Sequence, residues 1–395
     1  VNIMRILAAF DKCKDSLSAR EICALAQKVV STQPITHEIE CSPLTDGGDG
    51  FAQLLTEQKS GSYHSILASD SIGEEKDVRI GIVPFDKLEP NLRDFADLPD
   101  HGNYAVIEMS SIAGLSDLPP EKRNPWLTST VGVGQLLAEV ASLRVSAIIL
   151  GIGGSATNDM GLGALSSLGV RFLDQENQPI IFPNPESWGR IRTICPEKLV
   201  TLPSIRIACD VTNQLLGEGG ATFQFGPQKG LSISRRDEME SNMDIMSARL
   251  AETFQKPLDF REEEGTDAAG GIGYGLSVAY DTRFVPGFSF VSKWFDLEKS
   301  IQNADLILTG EGRFDQTSLM GKGPYEIIRM ASRYNKNVIL LAGSVDSDAK
   351  EKCMNKFSNL KIEAFGNDQY TLEENLLNAS DLFQQKLNYY LSLHQ

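Results

Sequence analysis

Between Ser146 and Asp159 an apolar run, AIILGI, leads straight into GGSATND. Ala147, Ile148, Ile149 and Leu150 do not alternate with polar residues, so they predict a short parallel strand covered on both faces. Gly151, Gly153 and Gly154 then relieve the steric limits on φ and let the main chain approach a ligand, with its N–H groups converging into an anion-binding nest. Ser155 and Thr157 are expected to cap a helix that follows, whose positive dipole end favours phosphate. Glycines alone would equally make an ordinary strand-to-helix turn. Asn158 and Asp159 argue for more, because polar and acidic groups beside such a nest point to a metal ion or a transferring group.

Strand and helix alternate elsewhere too. Strands are expected at 4–10, 38–42, 78–83, 105–109, 147–151, 206–208, 306–308 and 338–342, and a helix at 18–30 opened by Ser18 and Glu21 as a capping box. With 395 residues, two domains are the default. Against 53 acidic residues stand 37 basic ones, and a net charge of −16 leaves no electrostatic footprint for nucleic acid. Six cysteines show neither paired metal spacing nor a disulfide framework, which fits a reducing compartment. No apolar run reaches membrane-spanning length and NIMRILAAF leads into a strand without a signal-peptide pattern, so no membrane partner and a cytoplasmic location are expected.

Polar residues suited to chemistry gather where strands end: FDKCKDSLSA at 10–19, LTDGGDG at 44–50, GIGGSATND at 151–159, ACDVTN at 208–213, FGPQKG at 225–230 and TGEGRFDQTSLMGKG at 309–323. In a mostly parallel sheet such ends are where sites form. A kinase of a small hydroxy compound needs a metal held by one or two carboxylates, cations over the moving phosphoryl group, and a group that orients the attacking hydroxyl. Lys14, Arg313 and Lys322 offer the cations, and Asp46, Asp49, Asp159, Asp210, Glu311 and Asp315 the carboxylates. Each carboxylate alone is more often a cap, a turn former or a surface charge. A P-loop is excluded, because Gln316 and Gly323 stand where Gly and Ser or Thr should flank Gly321-Lys322. Gly151, Gly153 and Ala156 do fit a relaxed dinucleotide fingerprint, with Asp174 after a strand-like VRFL, so an NAD-dependent dehydrogenase of a small hydroxy acid is the alternative.

These segments, with VIEMSSIAGL through RNPWLTST at 106–130 and the glycine cluster at 267–271, resemble the bacterial class I, two-domain glycerate kinases in order and spacing from Met4 to Gly343. The resemblance implies phosphorylation of D-glycerate by ATP with Mg2+, on the 2-hydroxyl, to give 2-phospho-D-glycerate and ADP. It implies two α/β domains: a discontinuous Rossmann-like one of residues 1–66 and 286–395, and an inserted one of residues 67–285, with the active site in the interdomain cleft. A monomer or homodimer is expected.

By the same resemblance, the lysine after the first strand falls on Lys14 and the serines that follow on Ser16 and Ser18. The acidic turn falls on Asp46, the phosphate loop on Gly153, Gly154, Ser155, Thr157 and Asn158, and the late motif on Glu311, Arg313, Asp315 and Lys322. Lys14 or Lys322 would neutralise the transferred group, Arg313 would pair with the glycerate carboxylate, and Ser16 and Asp46 would touch substrate. Asp46, Asp159, Asp210, Glu311 and Asp315 form the metal set, with Asp210 also among the catalytic candidates; base and metal ligand are not told apart. Lys12, Met160, Gln214 and Thr266-Asp267 depart from the family pattern, which bears on substrate preference and loop rigidity, and a non-catalytic binding relative is the remaining alternative.

Overall fold

Strand Arg5–Phe10 is exposed only at its first residue, and its register sets Ile6 opposite Leu306 and Phe10 opposite Gly310. A segment near the start of the chain thus pairs with one some 300 residues on, which puts the two in one unit. The computed structural model describes residues 3–210 and 213–392; Val1, Asn2, Val211, Thr212 and 393–395 lie outside them, so the ACDVTN segment is described only at 208–210 and 213. The chain divides into one unit of residues 1–46 and 291–395 and another of 47–290. The sequence placed these divisions at 66/67 and 285/286. Strand Ser62–Ser69 pairs along its whole length with Glu75–Pro84, which carries the stretch after Asp46 into the second unit.

The discontinuous unit holds a five-stranded parallel sheet in the order Leu360–Ala364, Asn337–Ala342, Leu306–Gly310, Arg5–Phe10, Glu38–Cys41. Numbered within the unit, this is the doubly wound order 2-1-3-4-5, whose direction reverses between Arg5–Phe10 and Leu306–Gly310. Helix Ala19–Ser31 begins at the expected box, with the Ser18 side chain accepting from Glu21 N and the Glu21 carboxylate accepting from Ser18 N. Its apolar face and that of Ala379–Ser392 cover one side of the sheet, where Phe10 meets Phe383 edge-on at 5.3 Å between ring centroids.

The inserted unit has a six-stranded sheet in the order Thr282–Val285, Ser204–Ala208, Ala147–Gly151, Asn103–Glu108, Glu75–Pro84, Ser62–Ser69. The first four strands are parallel and the last two antiparallel. Ala147–Gly151 is buried at every position, as its unalternated sequence requires. Among the described residues no helix is long and apolar enough to cross a membrane.

Candidate active site

In the discontinuous unit the switch point is bordered by two loops. Residues 11–17 follow Arg5–Phe10, and residues 311 onward follow Leu306–Gly310. They can touch because Gly312 has no side chain: a Cβ there would lie 3.1 Å from Cys13 Cα and 3.2 Å from Lys14 N. Lys14 is exposed, and the Ser16 hydroxyl donates to the Cys13 carbonyl at 3.1 Å, a turn contact. Glu311 is buried; one of its oxygens lies 3.6 Å from Lys322 Nζ and the other, Oε1, has no hydrogen-bond partner among the described residues. Arg313 Nε lies 3.2 Å from Asp315, whose other oxygen accepts from Thr317 N and Oγ1. Those Thr317 bonds hold the Asp315 carboxyl below the usual range.

Asp11, absent from the candidates drawn from sequence, also belongs here. Burial, followed by the charges of Asp46 and Glu311, pushes its carboxyl up to about 7. Asp11 thus feels both Asp46 and Glu311, and Glu311 in turn lies 3.6 Å from the Lys322 ammonium. The sequence signal of Asp11 was the polar turn directly after the first strand, where the lysines drew the attention.

In the inserted unit the glycine loop meets the DGG turn backbone to backbone. Gly153 N donates to Gly47 O at 3.0 Å, a Cβ on Gly153 would lie 2.8 Å from Gly48 Cα, and one on Gly47 would lie 2.6 Å from the Ala208 carbonyl oxygen. Both motifs therefore need glycine for close approach, besides any ligand. Part of the expected nest is engaged, since Gly153 N is taken by Gly47 O, and further along the loop Ala156 N donates to Ala113 O and Met160 N to Gly270 O.

Two expectations for this loop are corrected. Ser155 and Thr157 cap no helix, because the next one, Leu162–Ser167, starts later with Gly161 at its N-cap. Asp159 does that work instead. It is 1% exposed and its carboxylate accepts from Thr130 N, Thr130 Oγ1, Gly161 N and Gly163 N at 2.8 to 3.2 Å. Buried and bonded on both oxygens, through Gly161 N on Oδ1 and the other donors on Oδ2, Asp159 braces the turn and leaves the metal set.

Ser155 and Thr157 face a lysine that sequence reasoning passed over. Lys229, 2% exposed, donates from Nζ to Ser155 Oγ at 3.0 Å and to the Thr157 carbonyl at 2.5 Å. Burial pulls its ammonium down to about 7, against the opposing pull of Asp159 and Asp267. The Asp267 carboxyl, also fully enclosed, is pushed up to about 7 by burial, against the nearby Asn213 and Lys229. Asn158 donates from Nδ2 to Met239 Sδ at 3.0 Å, while its Oδ1 and Thr157 Oγ1 are buried without partners among the described residues. Asp210, exposed at the end of Ser204–Ala208, accepts from Phe288 N at 2.8 Å and so caps helix Gly287–Trp294.

The dinucleotide reading fails on topology. Asp174 lies beyond Arg171–Leu173, which pairs with Thr193–Cys195 in a separate two-stranded sheet, and it accepts from Glu176 N and Gln178 N as a turn former. The fingerprint would need that strand beside Ala147–Gly151, where Asn103–Glu108 and Ser204–Ala208 lie instead.

A doubly wound sheet with cations and carboxylates at its switch point, joined in one chain to a parallel-stranded unit with a glycine loop, defines an α/β protein built to handle a small anionic ligand. Comparison with known proteins narrows this. The model of the glycerate kinase family matches residues 6–393. The glycerate kinase of Haemophilus influenzae is 34% identical over 349 residues, 87% of each chain. The glycerate 2-kinase of Escherichia coli is 33% identical over 353 residues, 87% of this chain and 86% of its own. Among solved structures, a Salmonella typhimurium LT2 protein assigned as glycerate kinase 2 superposes with a TM-score of 0.74 at 29% identity, over 99% of this chain and 98% of that one. The chain belongs to the glycerate kinase family.

Proposed function

We propose that this protein transfers the terminal phosphoryl group of ATP to the 2-hydroxyl of D-glycerate, giving 2-phospho-D-glycerate and ADP. The observation that carries the reading is the grouping of Glu311, Lys322, Asp11 and Asp46 at the switch point, beside the loop that holds Lys14. Family membership and the relatives' names support glycerate as substrate, and the name of the Escherichia coli relative supports the 2-hydroxyl.

Phosphoryl transfer is mostly positioning and charge compensation. In this reading Gly154, Ser155, Thr157 and Asn158 receive the ATP phosphates, Lys14 and Lys322 offset charge on the group in transit, and Arg313 pairs with the glycerate carboxylate, which its planar fork fits. Ser16 and Asp210 position the substrate. Mg2+ fits the oxygen donors Asp46 and Glu311, since among the described residues Glu311 Oε1 is a buried oxygen without a partner. No three acidic, His or Cys side chains among the described residues form a ready metal cage. In this reading one or two carboxylates and the nucleotide's own phosphates would hold the ion. When bound, Mg2+ would draw charge from those phosphates.

The test is a coupled assay of purified protein with ATP, Mg2+ and separate hydroxy acids. Glycerate-dependent ADP release is expected, and the proton-coupled phosphorus spectrum of the product should be a doublet, from an ester on the carbon bearing one hydrogen. A triplet would place the phosphate on the 3-hydroxyl. Absence of ADP release at millimolar D-glycerate would overturn the assignment.

A further inference from the structure

We infer that Lys229 is a positioning residue for ATP, acting through Ser155 from behind the loop. The inference rests on the reading that this loop receives the ATP phosphates.

Protonated, Lys229 carries only donors, so at 3.0 Å its hydrogen points into Ser155 Oγ and the Ser155 hydroxyl hydrogen must point elsewhere. Lys229 thereby fixes Ser155 as a donor facing away from itself and polarises that O–H, which suits an anion and disfavours a donor. The second bond, to the Thr157 carbonyl at 2.5 Å, ties down the backbone two residues on, so one buried group sets both the direction of the hydroxyl and the path of the loop. Packing alone is a poor reason for this arrangement, because an enclosed ammonium loses its hydration. Of the two acids that act on it, Asp159 accepts from Thr130, Gly161 and Gly163, and the Asp267 carboxyl is itself pushed up by burial. Among the described residues neither carboxylate is bonded to the Lys229 ammonium, whose hydrogen bonds go to Ser155 and Thr157 of the loop instead.

Three variants test this: Ser155→Ala, Lys229→Met, which keeps the length of the stem, and the double variant. Ser155→Ala should raise KM for ATP roughly ten- to hundredfold, the loss of a hydrogen bond to a charged group, and move KM for D-glycerate less than about twofold. Lys229→Met should do the same. In the Ser155→Ala background it should add little, because the two residues act as one. Multiplicative effects, or an increase that falls on D-glycerate, would overturn the inference while leaving the kinase assignment intact. If Lys229→Met fails to fold, Ser155→Ala decides alone: an unchanged KM for ATP overturns the proposal. Failure of the underlying reading would show separately, as absent ATP turnover in the unaltered protein.

Discussion

Lys14 stands in a loop whose path is fixed by backbone contacts rather than by its own side chain, since Cys13 bridges to Leu17 and Gly312 approaches from the other side. Its exposed ammonium is therefore available to a ligand. Lys14→Ala should lower turnover by roughly a hundredfold or more if it faces the group in transit. The fold should hardly notice, because pairing an exposed lysine with Asp11 or Asp15 is worth about 0–1 kcal/mol. Turnover and melting temperature measured on one sample check this, and unchanged catalysis removes Lys14 from the site. Lys14 was legible because an exposed cation at a strand end is a local feature. Lys229 was not. Interior lysines are exceptional, and its partners Ser155 and Thr157 lie 74 and 72 residues away, so no neighbouring residue announces its burial.

At the level of elements, the sequence was informative wherever the deciding contact was local. Ser18 and Glu21 declared a helix start, and 147–151 declared a covered strand by composition alone. Ser62–Ser69, Thr282–Val285 and Leu360–Ala364 carried too little: they are short or mix exposed polar with buried apolar positions, and their existence depends on a neighbour already in place. Asp159 shows the same limit in a functional motif. Two of its four donors come from Thr130, 29 residues upstream, so the sequence displayed a carboxylate beside a glycine loop and concealed the brace. Asp159→Ala should orphan those buried donors and cost about 3 kcal/mol or more, at about 1–3 kcal/mol per unsatisfied group. Thermal melts with and without Mg2+ should show the same loss. A deficit that Mg2+ deepens would return Asp159 to the metal set.

For the molecule as a whole, net charge and buried titration act on stability together. With a formal charge of −16, self-repulsion grows as carboxylates ionise, so a falling stability with rising pH would by itself identify no residue. Asp267 offers a way to separate the two. Its folded carboxyl is raised from 3.8 to about 7, chiefly by burial, so between those values the folded chain holds a proton that the unfolded chain has released. Its contribution to stability is fully present below the unfolded value and is lost as pH rises through about 7. Lys229 has the opposite sign: lowered from 10.5 to about 7, its folded ammonium releases its proton first, so its contribution is regained as pH rises from about 7 toward 10.5. Asp267→Asn keeps a neutral side chain of nearly the same shape and removes only the acidic titration. The melting temperature of the variant minus that of the parent should be smallest below pH 3.8, where the carboxyl is protonated in both folded and unfolded chains, should grow between 3.8 and about 7, and should be positive by pH 8. The background from net charge cancels in that difference apart from the single charge exchanged. A difference that stays flat, or turns negative above pH 7, would mean that attraction to Lys229 outweighs burial and that Asp267 is ionised throughout.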